Sequence, residues 1–474
     1  MSASRHAAPV ETRTGIAAAL TRLWARQTAL CTYLVLALPA GIAIILFDTN
    51  PSGYDWHHHW LRAQQVAHGG WLPVQSSTDP GHYGSFVNGS FEEFNNTVVN
   101  SPFEYLPALL GFGHYRVACL ATLAFCALTT GAAIVLSSRL SWVFAAIGLL
   151  PSVFLSSLYP TADAVIDSVS LLFLAMVLRV YDQRRRATAR QCCALTVLAL
   201  CVGQIKITCV LLLALLIPLM APPSDEGRHF DARPAVPLAA GVGSFLAWHA
   251  ATRGIPPVSY YSSAQIAART HHVLTHPFDL LRSTVVTLVK PVDVAGAQLA
   301  QDPGTSAQEI GKHTEFLVGI EHTMVPETFM LPAFVALGIM LLLSAAPLPA
   351  ASPSATSSSA ELLPATSLPC REPRRWDAPM WVCSAAVVAA YTIATVAAMA
   401  VISPSDGTGG WVLGLQSRYF IPLLPLLLVP LANADLRLGR QREARRIATG
   451  LLAFAYLGIV VCHVAFAPAG LNVW

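Results

Sequence analysis

The chain has 474 residues, of which 54% are hydrophobic and only 12% are charged, and its net charge is +3. Charged residues make up roughly a quarter of an ordinary soluble protein. The composition therefore excludes a set of soluble domains and predicts a membrane protein whose surface mostly faces lipid. The small net charge gives no indication of a nucleic-acid partner. Nearly all of the ten cysteines lie inside apolar runs, which favours buried free thiols over disulfides.

Apolar stretches recur at close to the ~20 residues that a helix needs to cross a bilayer. They predict an all-α, polytopic transmembrane helix bundle of about eleven spans, at approximately 28–47, 117–136, 142–159, 163–179, 191–204, 206–221, 235–250, 328–345, 379–402, 413–433 and 448–466. The fifth and sixth spans are short and meet near Lys206, so a hairpin of two short helices and one long helix both stay open. Most arginines lie in alternate connecting segments, and because basic residues in short loops stay cytoplasmic, the N-terminus is predicted inside and the C-terminus outside.

Loop lengths place the predicted chemistry on the external face, since the long loops lie there. The expected organisation is a cytoplasmic tail 1–27, a transmembrane module 28–345 with external loops 48–116 and 251–327, a cytoplasmic linker 346–378, and C-terminal transmembrane helices 379–474. The linker is rich in alanine, proline and serine and has too little to bury, so we predict that it is disordered.

The first external loop opens with a candidate acid–imidazole pair. Pro51 and Gly53 end the first span, and a new helix can begin after them. On that helix Asp55 and His59 stand four residues apart and share one face. A carboxylate at a helix start could act as a general base or hold a cation. The alternative is that Asp55 only caps the helix.

The same loop ends in Phe94–Pro107, a segment with two prolines that carries Glu104. We predict a rigid, extended passage into the second span, with a simple loop anchor as the alternative. Residues 48–104 contain six acids against Arg62 as the one basic side chain. Such a vestibule suits a cation or sugar hydroxyls better than a free anion.

Ionisable residues also occur at span ends further along the chain. Asp163 and Asp167 follow the turn before the fourth span and should face the bundle rather than lipid. Asp163, at the helix start, is the stronger site candidate, although helix capping would also explain it. Lys206 and Arg418 are cations embedded in apolar sequence near predicted external span ends. They suit a lipid-linked phosphate, with snorkelling to the headgroups as the alternative.

The motif after the first span resembles that of a family of bacterial polytopic membrane proteins with the domain of unknown function twenty-one forty-two. That family is similar to the GT-C superfamily glycosyltransferases, which use polyprenyl-phosphate sugars. Asp55, His59 and Trp60 match its Asp-Glu-Pro-Ala-His-Phe-like motif, whereas Trp56 replaces the glutamate. Asp55 is thus the sole acid of the motif, which argues against a two-carboxylate metal site there.

Three later segments resemble the same family in the same order. They are Asn100–Pro107, Ala162–Ala164 and Gln416–Pro422, the last with Ser417 in place of a glycine. Together with the first motif they span about residues 50–430. The resemblance implies a GT-C-like fold in the bacterial cytoplasmic (inner) membrane.

The resemblance implies a glycosyltransferase that moves a sugar from a polyprenyl-phosphate donor to a cell-envelope glycan or glycoprotein acceptor on the external face. The predicted catalytic residues are Asp55, His59 and Asp163, and the predicted substrate-binding residues are Arg418, Lys206, Glu104 and Tyr419. No metal ligands are assigned, and a divalent cation is left open as a cofactor. The alternatives are an envelope polysaccharide polymerase or ligase, and a non-enzymatic transporter or lipid flippase.

Overall fold

The structure is a computed structural model. It describes residues 27–48, 56–78, 82–87, 89–94, 97–137, 140–222, 230–255, 261–289, 327–344, 376–403, 412, 415–432 and 441–466. The predicted N-terminal tail before Gln27, the linker before Trp376 and the C-terminal Trp474 lie outside these residues, as do 290–326 of the second long loop.

Helices dominate the described chain. In order they are α1 (Thr28–Phe47), α2 (Trp56–Ala67), α3 (Leu106–Leu109), α4 (Tyr115–Leu136), α5 (Ser141–Gly148), α6 (Pro151–Ser156), α7 (Ala162–Asp182), α8 (Ala189–Gln204), α9 (Ala235–Thr252), α10 (Ser263–Thr275), α11 (Pro277–Val289), α12 (Glu327–Ser344), α13 (Ala378–Ile402), α14 (Leu424–Ala432) and α15 (Gln441–Val461). Four 3-10 helices cover Pro102–Tyr105, Ile207–Leu216, Pro218–Met220 and Ser417–Leu423, and a π-helical turn, Cys462–Phe466, follows α15.

Six of the helices in the described part of the chain are long and apolar enough to cross a membrane: α1, α4, α7, α9, α13 and the helix that includes α15. They coincide with six of the predicted spans, which confirms a multi-pass helical membrane protein. Four more predicted spans fall on shorter apolar helices. The remaining one, 142–159, is divided between α5 and α6 just before Pro151, a residue that starts a helix more readily than it continues one. The count of about eleven and the GT-C-like fold stay predictions.

The predicted fifth and sixth spans are two separate elements. α8 ends at Gln204, and Ile205 is extended, with φ −92° and ψ −169°. Lys206 is also outside the helical region, with ψ 135°, and the chain continues as the 3-10 helix Ile207–Leu216. That helix packs against both α8 and α9. The alternative of one long helix is therefore wrong, and the break places a lysine between two apolar segments.

The first long loop contains a small antiparallel sheet that the all-α prediction lacked. Its strands are β1 (Val74–Gln75), β2 (Tyr83–Val87) and β3 (Ser90–Glu93), in the order β1-β2-β3. A Cβ on Gly84 of β2 would lie 2.0 Å from the carbonyl oxygen of Glu92 on β3, so the pairing requires glycine there. Strands this short leave little alternation in the sequence from which to predict them.

The predicted extended passage at the end of this loop is also wrong, because Pro102–Tyr105 and α3 are helical. Proline fixes φ at a value that the first turn of a helix also uses, so a proline-rich segment can be helical where each proline stands at a helix start. The turn brings Glu104 inward, with 4% of its surface exposed.

One contiguous apolar core joins the N-terminal and C-terminal helices. It runs from Ala29 in α1 to Cys462 after α15, and α7 lies at its centre with most of its residues buried. Tyr456 of α15 donates a hydrogen bond of 3.0 Å to the carbonyl oxygen of Leu149, between α5 and α6. The C-terminal helices are thus part of the same bundle as the N-terminal module.

Candidate functional site

Five charged side chains meet at the end of the bundle that carries the first long loop. They are Glu104 from the loop, Asp163 and Asp167 from α7, Lys206 from the break after α8, and Arg418 from the 3-10 helix Ser417–Leu423. We call these five residues the charged cluster. Four segments that are distant in sequence contribute to it, so it exists only in the folded chain.

Asp163 and Arg418 form an ion pair across the cluster. The Arg418 Nε lies 3.2 Å from Asp163 Oδ2, and the exposed fractions of the two side chains are 9% and 19%. Asp163 stands in the first turn of α7, where Thr161 caps the helix by accepting a hydrogen bond from the Ala164 N–H. Because Thr161 supplies the cap, the Asp163 carboxylate is available to Arg418, and the helix dipole favours its charge. Simple capping does not explain Asp163.

Lys206 and Arg418 share the ring of Tyr419. The Lys206 ammonium lies 3.1 Å from the ring centroid, and the Arg418 guanidinium carbon lies 5.9 Å from it. The Tyr419 carbonyl oxygen accepts a hydrogen bond of 3.0 Å from the Tyr391 hydroxyl of α13. Two cations of the predicted substrate-binding set therefore lie beside one aromatic ring that α13 holds in position. A cation on a ring face in a partly dry setting gains more than an exposed one.

Asp167 belongs to the site, although the sequence favoured Asp163 alone. It lies one turn further into α7, on the same face, with 4% of its surface exposed. It interacts electrostatically with Asp163, Lys206 and Arg418. The four-residue spacing of the two aspartates was the available signal, since residues four apart on a helix are neighbours.

Glu104 is a buried acid of the charged cluster, with 4% of its surface exposed. No hydrogen-bond partner among the described residues meets its Oε2. Burial raises the pKa of Glu104 well above its usual range, and the negative charge of Asp163 raises it further. The folded protein therefore favours the protonated form of this carboxyl more than the unfolded chain does. The charged cluster therefore combines three carboxyl groups with two basic side chains.

His59 connects α2 to the start of α7. Its Nδ1 lies 2.8 Å from the Tyr105 hydroxyl and 3.4 Å from the Ala162 N–H. A backbone N–H can only donate, so Nδ1 is an acceptor and neutral His59 carries its proton on Nε2. Asn100 donates to the Tyr105 hydroxyl at 3.0 Å and extends the chain of hydrogen bonds. His59 is thus an oriented imidazole whose charge state also affects Asp163.

A set of uncharged polar side chains ties the first long loop to the helices around Lys206. Ser101 donates to Gln204 Oε1 at 2.8 Å, and Gln204 Nε2 donates to the carbonyl and hydroxyl oxygens of Ser244 at 2.9 and 2.8 Å. We call Ser101, Gln204 and Ser244 the polar clasp. Because Ser101 precedes Glu104 and Gln204 precedes Lys206 by only a few residues, the polar clasp holds the two segments that carry Glu104 and Lys206 together. The amino-acid sequence gives no signal for the polar clasp, because none of its three residues carries a charge.

The remaining predicted features have a mixed outcome. Asp55 lies outside the described residues, immediately before α2, so its role stays a prediction. Arg62 is fully buried and donates to the carbonyl oxygens of Trp71 and Asn100 at 2.8 and 3.1 Å, which makes it a structural brace of the loop. Nine described cysteines are free thiols. No group of three or more His, Cys, Asp or Glu side chains within the described ranges is arranged to hold a metal ion.

Comparisons with protein-family models, with curated proteins and with solved structures give no match for this chain. The geometry of the charged cluster and the motifs of the sequence are therefore the basis on which a function can be inferred.

Proposed function

We propose that this protein is a membrane glycosyltransferase that moves a sugar from a polyprenyl-phosphate donor to a cell-envelope acceptor. The observation that carries the proposal is the convergence of Lys206 and Arg418 on Tyr419 beside Asp163, at the ends of membrane-spanning helices. A lipid-linked phosphate keeps its hydrocarbon chain in the bilayer and its anion at the bilayer surface. Two cations at a span end are suited to that anion.

The proposed reaction needs stabilisation of a leaving phosphate. An acceptor hydroxyl oxygen attacks the anomeric carbon, the bond from that carbon to the donor phosphate oxygen breaks, and the polyprenyl phosphate leaves with the electron pair. Charge grows on the phosphate as the bond breaks, so Lys206 and Arg418 would bind the transition state more tightly than the donor. Fixed charges in a water-poor site supply a large part of such catalysis.

Asp163 would hold Arg418 ready for this task. A guanidinium has five N–H groups in a planar fork, so it can contact one carboxylate at Nε and still present other N–H groups to a phosphate. In this arrangement Asp163 sets the orientation of Arg418 relative to the donor phosphate. Asp163 is then a positioning residue for the donor rather than a base for the acceptor.

The acceptor hydroxyl must lose a proton, and Asp55 is our proposed base. It precedes His59 by four residues, and His59 already has its Nδ1 occupied by the Tyr105 hydroxyl and the Ala162 N–H. With its ring held in this way, His59 would orient the Asp55 carboxylate or the acceptor. A correctly placed base contributes about 10²–10⁴-fold to rate.

The test separates donor binding from turnover in the purified protein. Donor binding is measured on the purified protein with short-chain polyprenyl-phosphate hexoses and pentoses as probes. Transfer is followed by mass spectrometry of envelope glycans from cells with and without the gene. Arg418→Lys keeps the charge and loses the fork geometry, so it should bind donor weakly, whereas Asp55→Asn should bind donor normally and fail to react. The exposed Arg253 at the end of α9 gives the matched control, Arg253→Lys. Equal donor affinity in Arg418→Ala and wild type would refute the donor site.

Donor binding also tests the alternative enzyme, an envelope polysaccharide polymerase or ligase. A polysaccharide polymerase or ligase would use a lipid diphosphate, and two neighbouring cations also suit a diphosphate. Tight binding of polyprenyl-diphosphate sugars together with no binding of the monophosphates would favour that rival over the proposed transferase.

A transporter or lipid flippase is the second candidate, and Asp167 favours it. This acid is about 6 Å deeper along α7 than Asp163, is buried, and interacts with Lys206. Ionisable residues inside the membrane are typical of ion and substrate pathways. Accumulation of a substrate in proteoliposomes without any covalent product, abolished by Asp167→Asn, would support a transporter instead of an enzyme.

A further inference from the structure

A cavity separate from the charged cluster lies between the loop-facing ends of α1 and α4. Its volume is about 220 Å³, and its lining consists of Ile44, Ile45, Asp48, Tyr115, Arg116, Cys119 and Tyr159. The proposed glycosyl transfer uses none of these residues.

The lining combines two opposite charges with aromatic hydroxyls over an apolar floor. Asp48 is 8% exposed and accepts a hydrogen bond of 3.5 Å from the Tyr159 hydroxyl. Arg116, in the first turn of α4, is exposed and supplies the positive charge. The Tyr115 hydroxyl is buried beside the Cys119 thiol, which is a weak partner, and no stronger one meets it in the described part of the chain. A ligand with both an anionic and a cationic group fits this pattern.

The position and size of the cavity indicate that its ligand is part of a lipid. Exposed apolar side chains stand close in sequence to the lining residues: Phe47 is 61% exposed, Phe112 is 84% exposed and Val117 is 45% exposed. All three lie at or next to the ends of spans, where they would contact the bilayer. Pockets that enclose whole small molecules measure about 300–1,000 Å³, so this smaller cavity suits a headgroup whose chains stay outside in the membrane.

We propose that the cavity binds a phosphate ester that carries a primary ammonium group, as in the headgroup of a zwitterionic phospholipid. The ammonium would bind Asp48 beside the rings of Tyr115 and Tyr159, which adds cation–π attraction. The phosphate would bind Arg116 at the mouth. The site adjoins the charged cluster through the short turn from Tyr159 to Asp163, but binding here does not depend on the proposed transfer reaction.

The experiment is lipid binding to the purified full-length protein in nanodiscs of variable composition, read by native mass spectrometry without any sugar donor. The probes are phosphatidylethanolamine, phosphatidylcholine, which lacks N–H groups on its cation, phosphatidylglycerol, which has no cation, and water-soluble glycerophosphoethanolamine. Wild-type protein should prefer phosphatidylethanolamine over the other two lipids. Asp48→Asn should lose that preference by roughly ten- to a hundredfold, the range for hydrogen bonds to charged groups. Arg116→Gln should weaken binding of all three phospholipids.

Control variants keep the test decisive. Asp279→Asn on α11 and Arg253→Gln after α9 remove an acid and an arginine outside the cavity lining and should bind lipid as wild type does. Tyr159→Phe removes only the hydroxyl that contacts Asp48 and should reduce the preference even if Asp48→Asn does not fold. Equal binding of phosphatidylethanolamine and phosphatidylglycerol by wild type would overturn the proposal. Binding of glycerophosphoethanolamine as tight as that of the lipid would replace the lipid with a soluble ligand.

Discussion

The Asp163–Arg418 pair can be tested by its effect on stability as well as on activity. At the observed separation of 3.2 Å between Nε and Oδ2, the attraction is about 5 kcal/mol at an effective dielectric constant of about 20. Desolvation of the two groups offsets most of this gain, so the intact pair contributes little net stability. Removal of one partner from a buried pair is different, because it leaves an uncompensated charge and costs about 3–5 kcal/mol.

We expect Asp163→Asn to lower the free energy of unfolding by about 2–4 kcal/mol, since the partial exposure of Asp163 moderates the full penalty. In that variant Arg418 and Lys206 lie beside the same Tyr419 ring without the Asp163 carboxylate to compensate them. Arg418→Gln should lower the free energy of unfolding by a similar amount, because it leaves the Asp163 carboxylate without its cation. The double variant relieves the like-charge repulsion, so it should be more stable than the sum of the single changes predicts, by about 2 kcal/mol.

The assay is equilibrium unfolding of the four proteins in mixed micelles, with the exposed Arg253→Gln as a control that should stay within about 0.5 kcal/mol of wild type. The coupling energy from the double-mutant cycle is the decisive quantity. If the changes in the free energy of unfolding of the two single variants add to within about 0.5 kcal/mol, Asp163 and Arg418 do not interact and do not belong to one charged cluster.

Two further predictions concern burial and packing. The raised pKa of Glu104 means that the folded protein binds its proton more tightly than the unfolded chain does, so wild-type stability should fall as the pH rises above the unfolded value of about 4.3 towards the folded one. Glu104→Gln cannot ionise at this position, so its free energy of unfolding, measured with a chemical denaturant, should fall less between those pH limits. Identical pH profiles of the two proteins would mean that Glu104 is solvated. A Cβ on Gly203 would lie 2.3 Å from the Gly241 carbonyl oxygen, so Gly203→Ala should force α8 and α9 apart and lower stability by about 1–3 kcal/mol. Gly243→Ala, with nothing within 4 Å of its Cβ, is the matched control, and equal unfolding midpoints would contradict the close approach.

Several features of this protein could be predicted from local sequence. Hydrophobicity accumulates over ~20 residues, so the six long spans are readable from the sequence alone. The same holds for α2, which begins at Trp56, soon after Pro51 and Gly53 in the sequence. Lys206 and Arg418 also stood out, because a cation inside an apolar run is costly wherever the chain goes. These signals depend on neighbours in the sequence, which is why they needed no tertiary information.

The composition of the site depended on tertiary structure. No local pattern indicates that Arg418 lies against Asp163 more than 250 positions earlier, or that Glu104 is buried. The break at Lys206 required the packing of the following 3-10 helix on α8 and α9. The sheet in the first loop required the register of three strands too short to show a period.

Two kinds of side chain explain the difference between sequence and structure. A charged residue in apolar sequence indicates that its charge needs a partner in the folded protein, whereas only the fold selects that partner. Uncharged polar residues such as Gln204 reveal nothing, because serine, glutamine and threonine are common in every environment, yet Gln204 connects Ser101 of the loop to Ser244 of α9. The amino-acid sequence by itself determined that this chain crosses a membrane several times and which charges it carries into it. The tertiary structure decided which of those charges meet, since pairing depends on distances between segments that the sequence does not encode locally.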